Sequence, residues 1–263
     1  MLAQTQPAAE IILVDDGSDD GTHDLLKQSY PQVKTLRQIN RGVSHARNRG
    51  VAAARHDWIA FLDSDDSWLP GKLAAQARAL HADQDHKLCH SDELWIRHGR
   101  RVNPMHKHQK RGGEIFHHCL PRCAISPSTT VVEKSLLEEV GGFDESLPAC
   151  EDYDLWLRIC ARYPVLYLPQ QLTVRYGGHA DQLSRRHWGM DRFRVRALEK
   201  LLTDDELRPE YRIAALRTVV EKLDILISGA RKRSNAQLLR ECESRRAAHV
   251  EALNSVQATT RVA

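Results

Sequence analysis

The sequence predicts an α/β fold, with a mostly parallel sheet flanked by helices and a C-terminal helical extension. Three observations predict it. Short apolar runs rich in β-branched residues alternate with helical patterns through the first part of the chain. Two of these runs end in aspartate-rich loops, at residues 15–21 and 63–66. After residue 190 the pattern is helical only. Such alternation is typical of parallel sheets covered by helices on both faces.

Local composition predicts the elements in order. In the first part we expect strands at 10–14, 33–37 and 58–62, with helices from 22, over 44–55 and over 70–82. Further strands are expected from 88, at 128–132 and at 165–168, with helices over 134–140 and 152–162. Residues 1–6 resemble the last turn of a helix. After Asp191, apolar residues recur at helical spacing, so we expect one domain at 1–190 and a helical extension at 191–263.

The composition is that of a globular protein with one sizeable α/β core. The chain has 263 residues, of which 41% are hydrophobic and 28% charged. Its net charge of +3 is too small to indicate nucleic-acid binding. The six cysteines form no CxxC pair, and no stretch reaches the roughly 20 apolar residues that span a bilayer. We therefore expect reduced thiols in a cytoplasmic protein.

Charge is distributed unevenly along the chain. Residues 191–263 hold 15 Lys and Arg against 11 acidic residues, whereas residues 1–190 are close to neutral. One hypothesis is peripheral contact of this basic, amphipathic tail with the inner face of an anionic membrane. A self-packing or dimerising hairpin is the favoured alternative, and the oligomeric state stays open. The basic, irregular stretch at 88–113 is expected to lie on the acceptor side.

Three aspartates, Asp63, Asp65 and Asp66, follow the predicted strand at 58–62. Open α/β sheets place their ligands at the carboxyl ends of strands. Three adjacent carboxylates repel one another unless a cation neutralises them, and Mg²⁺ or Mn²⁺ prefers oxygen ligands. The alternative is a solvated turn that caps the next helix. Taken alone, the cluster favours neither interpretation.

A second acidic loop, from Asp15 to Thr22, also follows a strand and precedes a helix. Its glycines permit tight turns, and a carboxylate at a strand end can accept hydrogen bonds from a nucleotide base or ribose. Asp15 and Asp16 are the functional candidates. Asp19 and Asp20 are better explained as turn and cap residues.

Two predicted helix starts carry further candidates. Gly42 precedes a helix that carries Arg47, and free N–H groups together with cations favour phosphate. A plain N-cap with solvated arginines is the alternative. Glu151 and Asp152 begin another helix, whose dipole keeps carboxylates ionised and suits a general base. Ordinary helix-start acids are the alternative there.

Taken together, five segments resemble the family 2 glycosyltransferases, which have the GT-A fold. They are EIILVDDGSDDGT from Glu10, NRGVSHARNRG from Asn40, WIAFLDSDDSWLPGKL from Trp58, GGFDESL from Gly141 and EDYDLWLRI from Glu151. They stand in the family's order within residues 1–190. The resemblance implies inverting transfer of a single sugar from a nucleoside-diphosphate sugar to a hydroxyl of a saccharide or lipid-linked saccharide. It also implies a place in cell-surface polysaccharide or glycoconjugate biosynthesis.

The resemblance implies roles for individual residues. Asp16 would contact the nucleotide base, with Asp15 beside it. The rest of the nucleotide site would comprise Gly42, Arg47 and Asp63. Asp65 would bind Mg²⁺ or Mn²⁺ with Asp63 nearby, and Asp152 would be the catalytic base, supported by Glu151.

Three further points follow from the resemblance. Residues 175–186 are similar to a segment that closes over the site in non-processive relatives, which makes His179 a further metal candidate, although a lone histidine is more often structural. The Gln-x-x-Arg-Trp signature of processive synthases is missing, which favours single transfer. Relatives begin with a strand and a nucleotide-binding turn, where this chain has MLAQTQ, so we expect that strand to be lacking.

Two alternatives stay open at this point. A nucleotidyltransferase would also use an aspartate-rich metal site, but it is expected to carry a glycine- and lysine-rich phosphate loop. A catalytically impaired glycosyltransferase copy could instead act as a binding or structural protein.

Overall fold

The computed structural model describes residues 1–178 and 187–262, and its strands and helices follow the predicted alternation closely. In chain order the elements are β1 (Ile12–Asp15), α1 (Thr22–Ser29), β2 (Lys34–Arg37), α2 (Val43–Ala53), β3 (Trp58–Ala60), β4 (Asp66–Trp68), α3 (Lys72–Ala82), β5 (Leu88–Arg97), β6 (Arg100–Val102), α4 (Phe116–Cys119), β7 (Thr130–Glu133), α5 (Lys134–Glu139), α6 (Glu151–Cys160), β8 (Leu166–Gly177), α7 (Asp191–Leu202), α8 (Pro209–Lys232) and α9 (Ala236–Val262). Short 3₁₀ turns lie at His106–His108 and Pro127–Thr129.

The strands of the described segments form two sheets. β1 and β2 pair in parallel. The larger sheet has the order β3-β7-β5-β8-β4, with β6 paired to β5. Within it β5 and β8 are parallel, and the other pairs are antiparallel. The predicted α/β class is confirmed, but the sheet is more mixed in direction than the alternation suggested, because β3, β4 and β6 are short strands that pair antiparallel with distant or hairpin-linked partners.

Residues 88–113, expected to form a strand followed by an irregular stretch, contain more regular structure than that. β5 continues to Arg97 and returns as β6, with Arg97 opposite Arg100. The two residues between them, His98 and Gly99, have φ values of 48° and 72°. Positive φ at both central positions is typical of a type I′ hairpin turn, which continues the twist of its strands. β8 is also longer than expected, because β5 offers it a parallel partner from Cys89 to Arg97.

The two sheets are joined through α2. Among the described residues no strand pairing links β1 and β2 to the larger sheet. The Asn48 side chain instead donates from Nδ2 to the Phe143 carbonyl at 2.8 Å and accepts from the Phe143 N–H at 2.9 Å. Because α2 also packs against β1, this helix ties β1 and β2 to the loop at Phe143, which packs in the main core.

The main core lies against α6 and extends into the C-terminal helices. Leu155, Trp156 and Ile159 of α6 are almost completely buried, and they share one hydrophobic cluster with Val195 of α7 and Leu223 of α8. The helices after residue 190 therefore pack into the same core as the helix that begins at Glu151. Among the described residues, no helix is both long and apolar enough to cross a bilayer.

Residues 1–6 are not helical, contrary to expectation. They lie along the start of α3 instead. The Gln4 side chain donates to the Leu69 carbonyl at 2.8 Å and accepts from the Leu73 N–H at 3.0 Å. The Thr5 N–H donates to the Pro70 carbonyl at 2.8 Å. These bonds to Leu69, Pro70 and Leu73 replace the i to i−4 bonds of a helical turn.

Candidate active site

In the loop after β3, the fold places three carboxylates close together. One oxygen from each of Asp63, Asp65 and Asp66 lies within 4.8 Å of the others. The Tyr176 N–H of β8 donates to Asp66 Oδ1 at 3.2 Å, and the Asp63 N–H donates to Ser128 Oγ at 3.1 Å. The loop is thus fixed by neighbouring strands, and the spacing of its oxygens is compatible with one divalent cation.

Asp66 carries the clearest electrostatic signature in this cluster. Burial, followed by repulsion from Asp65 and Asp63, raises the pKa of Asp66 to about 6 against the bond from Ser128. A cation would relieve that repulsion. Sequence reasoning placed Asp66 in the cluster but gave it no role. Its orientation depends on its position at the start of β4, a strand that the sequence did not predict, so no local pattern indicated it.

Arg47 of α2 links the aspartate cluster to the start of α6. Its guanidinium donates to Asp63 Oδ1 at 2.6 Å and to Glu151 Oε1 at 2.8 Å, and it lies 5.1 Å from the centre of the Phe143 ring. The side chains of Arg47 and Glu151 are only 12% and 5% exposed. Burial and then the charge of Asp152 raise the pKa of Glu151, while Arg47 lowers it. Glu151 therefore faces Arg47 and positions it.

Asp152 lies next to this pair, half-buried, at the first turn of α6. Its Oδ1 accepts from the Tyr153 N–H at 2.7 Å. Its Oδ2 accepts from the Cys123 thiol at 3.1 Å. Burial, followed by the charge of Asp152, raises the pKa of Cys123 well above its ordinary value, so the thiol stays protonated and can donate. No local pattern indicated Cys123, which lies in a loop 29 residues before Asp152.

A second part of the site is formed by Asp16 and Asp15, the carboxylates at the end of β1. Asp16 accepts from Gln38 Nε2 at 2.7 Å and from the N–H groups of Arg41 and Gly42, both at 2.8 Å. Gly42 has a φ of 91°, which glycine adopts readily. Asp16 thereby fixes the chain as it enters α2, the helix that carries Arg47.

Asp15 is buried beneath this loop. Its Oδ1 accepts from the Ser18 N–H at 2.8 Å, and Arg37 lies 3.5 Å from Oδ2. Burial opposes its charge, but the bonds from Ser18 and the charge of Arg37 outweigh burial and lower its pKa. Asp15 is therefore an ionised carboxylate inside the loop.

The predicted residues thus fall into two connected groups. Arg47 contacts Asp63 and Glu151 and is affected by the charge of Asp152, and Asp65 lies beside Asp63 in the carboxylate cluster. Asp16 and Gly42 shape the start of the same helix, α2, while Asp15 holds the loop after β1. His179 lies outside the described residues. The first group combines a cation-binding cluster with a carboxylate whose Oδ2 is held by a thiol, an arrangement that can hold a diphosphate on one side and accept a proton on the other.

Two family models match the chain. Residues 1–124 match the model described as Glycosyl transferase family 2. Residues 116–203 match the model described as Glycosyltransferase like family 2. Together they include all five segments that carry the sequence resemblance.

Curated relatives agree with this match. YibD of Escherichia coli, an uncharacterized glycosyltransferase, is 38% identical over 96 residues, which are 35% of this chain and 28% of YibD. An uncharacterized glycosyltransferase of Rickettsia prowazekii is 29% identical over 191 residues, 69% of this chain and 58% of that protein. TuaG of Bacillus subtilis, whose name refers to teichuronic acid biosynthesis, is 41% identical over 81 residues, 29% of this chain and 32% of TuaG. The chain therefore spans less than two thirds of each of these relatives.

A solved structure shares the fold. The crystal structure of S. aureus TarS 1-349 in complex with UDP matches with a TM-score of 0.58 and 16% identity, covering 98% of this chain and 84% of that one. The GT-A fold predicted from the sequence is confirmed by this likeness.

Proposed function

Because this chain belongs to glycosyl transferase family 2, we propose that it transfers a single sugar from a nucleoside-diphosphate sugar to an acceptor hydroxyl, with inversion and with a divalent metal. One observation carries the proposal. Arg47 joins Asp63 at 2.6 Å and Glu151 at 2.8 Å, so the aspartate cluster and the first turn of α6 face one site. The UDP bound to structurally similar TarS supports a nucleoside diphosphate as the leaving group.

The donor set suits Mg²⁺ or Mn²⁺. Asp63, Asp65 and Asp66 offer oxygen ligands only, within 4.8 Å of one another, and hard divalent cations prefer oxygen. We propose Asp65 and Asp63 as the metal ligands, with Asp66 beside them. A bound ion would neutralise the charge that develops on the departing diphosphate.

Asp152 is the proposed catalytic base. The acceptor oxygen forms a bond to the anomeric carbon from the face opposite the diphosphate, the bond from that carbon to the diphosphate oxygen breaks, and the hydroxyl proton passes to Asp152. Cys123 and the Tyr153 N–H hold its two oxygens, and the Glu151–Arg47 pair fixes the helix start from which it projects.

The nucleoside side of the site is proposed at Asp15, Asp16 and Gly42. Asp16 already orders the N–H groups of Arg41 and Gly42, so its role would combine loop shaping with recognition of the base. Arg47 and Asp63 would lie nearer the diphosphate.

The biological setting follows the relatives. The name of TuaG refers to teichuronic acid biosynthesis, and this supports a saccharide or lipid-linked saccharide acceptor in cell-surface polysaccharide synthesis. We propose a cytoplasmic location, for which the six free cysteines of the described chain give support. We further propose that residues 191–263 contact the inner face of the membrane peripherally. We also propose that the glycosyltransferase domain comprises residues 1–190 and that residues 191–263 are its helical extension.

A thermal-shift screen tests the donor site. The protein is heated with nucleoside diphosphates and their sugars, with and without Mn²⁺, beside Asp65→Ala and a matched control, Asp85→Ala, which changes an exposed aspartate after α3. We expect Mn²⁺-dependent stabilisation by one nucleotide in the wild type and in Asp85→Ala, and its loss in Asp65→Ala. Absence of stabilisation by every nucleotide would refute donor binding. Binding without sugar transfer would favour the impaired-copy alternative.

A further inference from the structure

A strongly basic segment borders the proposed acceptor side. From Leu94 to Val132 the chain contains seven Lys and Arg residues and a single acid, Glu114. This segment alone carries a charge of +6, twice that of the whole chain. A charge run is often only a solvated surface, so its placement in the fold decides what it can do.

One cation of this segment, Arg97, and one of β8, Arg175, lie beside the same aromatic side chain. The guanidinium carbons of Arg97 and Arg175 lie 5.5 Å and 5.7 Å from the centre of the Trp95 indole ring. The imidazole of His108 lies 5.3 Å from the same ring. We call Trp95, Arg97, His108 and Arg175 the basic rim. Arg97 is exposed and the Arg175 side chain is 43% exposed, so both guanidinium groups can reach a ligand.

His108 of the basic rim is surrounded mainly by cations. Burial is the first cause that lowers the pKa of His108, and the charges of Lys107, Arg122, Arg175 and Arg97 lower it further. An anion bound at the rim would meet these charges and also the buried carboxylate of Glu93, which accepts from Trp95 Nε1 at 2.8 Å and lies 3.9 Å from Arg175.

The rim also adjoins the catalytic groups from two directions. Arg175 lies opposite Asp66 in the pairing of β4 with β8, and the charges of Glu93, Asp66 and Asp152 raise its pKa against the effect of burial. Arg122, next to the residue whose thiol contacts Asp152, donates to the Lys107 carbonyl at 2.9 Å. A sugar on the Trp95 ring would therefore lie near the proposed base.

We propose that the basic rim binds an acceptor saccharide that carries an oxyanion, a carboxylate or a phosphate, close to the hydroxyl that is glycosylated. The sugar ring packs on Trp95, and the oxyanion accepts paired hydrogen bonds from Arg97, with Arg175 contributing charge. Guanidinium groups match the planar geometry of both oxyanions. The proposal rests on the proposed function for the presence of an acceptor, but the rim can be tested without sugar transfer.

Binding of three tetrasaccharide-length ligands by isothermal titration tests the proposal. The ligands are a galacturonate tetramer, a glycerol-phosphate tetramer and neutral maltotetraose. We expect one anionic ligand to bind about 10-fold tighter than the neutral one, the amount that one charge-assisted paired contact contributes. The anionic ligand that binds more tightly, galacturonate or glycerol phosphate, shows whether the rim recognises a carboxylate or a phosphate.

Two variants locate the site. Arg97→Gln should remove most of that 10-fold preference. The matched control is Arg101→Gln, because Arg101 lies opposite Ile96 and so belongs to the other face of the hairpin from Trp95 and Arg97. Arg101→Gln should change affinity less than about 2-fold, in line with a screened surface charge.

Several outcomes would overturn the proposal: equal binding of charged and neutral ligands, equal effects of the two variants, or binding of a single-stranded oligonucleotide or an anionic vesicle as tight as that of the anionic glycan. Mn²⁺-dependent stabilisation by a nucleotide, measured on the same samples, distinguishes failure of the basic rim proposal from failure of the proposed function. If the nucleotide binds and the anion preference is absent, only the basic rim proposal fails. If the nucleotide does not bind, the proposed function fails, whatever the glycan result.

Discussion

Replacing Arg47 by methionine should show how far one buried guanidinium holds the site together. The change keeps an apolar stem but leaves Glu151, 5% exposed, beside Asp152 without its cation. Removing one partner of a buried ion pair costs about 3–5 kcal/mol of unfolding free energy. Asp63, the other partner, is 32% exposed, so water can replace part of that contact. We therefore expect a loss of about 3 kcal/mol.

The loss from Arg47→Met should also depend on pH. Burial and then the charge of Asp152 already raise the pKa of Glu151 above its ordinary value of 4.5, and Arg47 opposes this rise. Without Arg47 the folded-state pKa of Glu151 rises further, so the folded chain holds a proton that the unfolded chain releases. Stability relative to the wild type should then decrease as the pH increases from 5 to 8.

Urea unfolding followed by tryptophan fluorescence at pH 5 and pH 8 measures both effects. Arg49→Met is the matched control on the same helix, because Arg49 donates to the Arg37 carbonyl and Gln38 Oε1, which are neutral acceptors. It should cost about 1 kcal/mol at both pH values. Adding Glu151→Gln to Arg47→Met should recover most of the loss at pH 8. If Arg47→Met costs no more than Arg49→Met, or if Glu151→Gln recovers nothing, the buried-pair argument is refuted.

Three further changes give separate tests. Burial holds the pKa of Lys72 at about 7, below its ordinary 10.5, so between these values the unfolded chain binds a proton that the folded chain lacks. Relative to Lys72→Met, wild-type stability should therefore rise by about 1 kcal/mol per pH unit from 7 to 9. Urea titrations of both proteins measure this difference, and equal slopes would contradict the assignment. Burial, followed by the charges of its acidic neighbours, raises the pKa of Asp66 to about 6. Protonation should therefore weaken the Mn²⁺-dependent thermal shift below about pH 6. A thermal shift that is the same at pH 7.5 and pH 5 would count against Asp66 as part of the cluster. Cys123→Ala removes the hydrogen-bond donor to Asp152 and should lower kcat about 5-fold, the effect of one hydrogen bond of about 1 kcal/mol. Cys123→Ser keeps a donor and should keep the wild-type kcat. Equal kcat values for the two variants would exclude the positioning role of the thiol.

The sequence predicted those parts of the molecule that local composition determines. The aspartate loop at 63–66 and the helix start at Glu151 were found because strand ends and helix starts carry recognisable residues. The link between them could not be found in this way, because Arg47 and Glu151 are 104 residues apart. The contact depends on how α2 packs across the fold.

Contacts between segments distant in the chain also explain two other features that the sequence did not predict. The contact between Cys123 and Asp152 joins a loop to a helix, and no pattern in either segment indicates it. The hairpin turn at His98 and Gly99 was overlooked because His-Gly is not among the residue pairs, such as Asn-Gly and Asp-Gly, that signal a two-residue hairpin turn. Without that turn, the position of Trp95 beside His108 could not be deduced.

The attachment of β1 and β2 through α2 bears on how the molecule moves. A unit held by side-chain contacts and one helix can detach and return while β5 and β8 keep their hydrogen bonds. Amide protons of β1 and β2 would then exchange with deuterium sooner than those of β5. A donor nucleotide that engages both Asp16 and Arg47 would suppress this exchange. The donor would in that case act as a clamp, and the amino-terminal half of the cleft would become rigid only when there is a sugar to transfer.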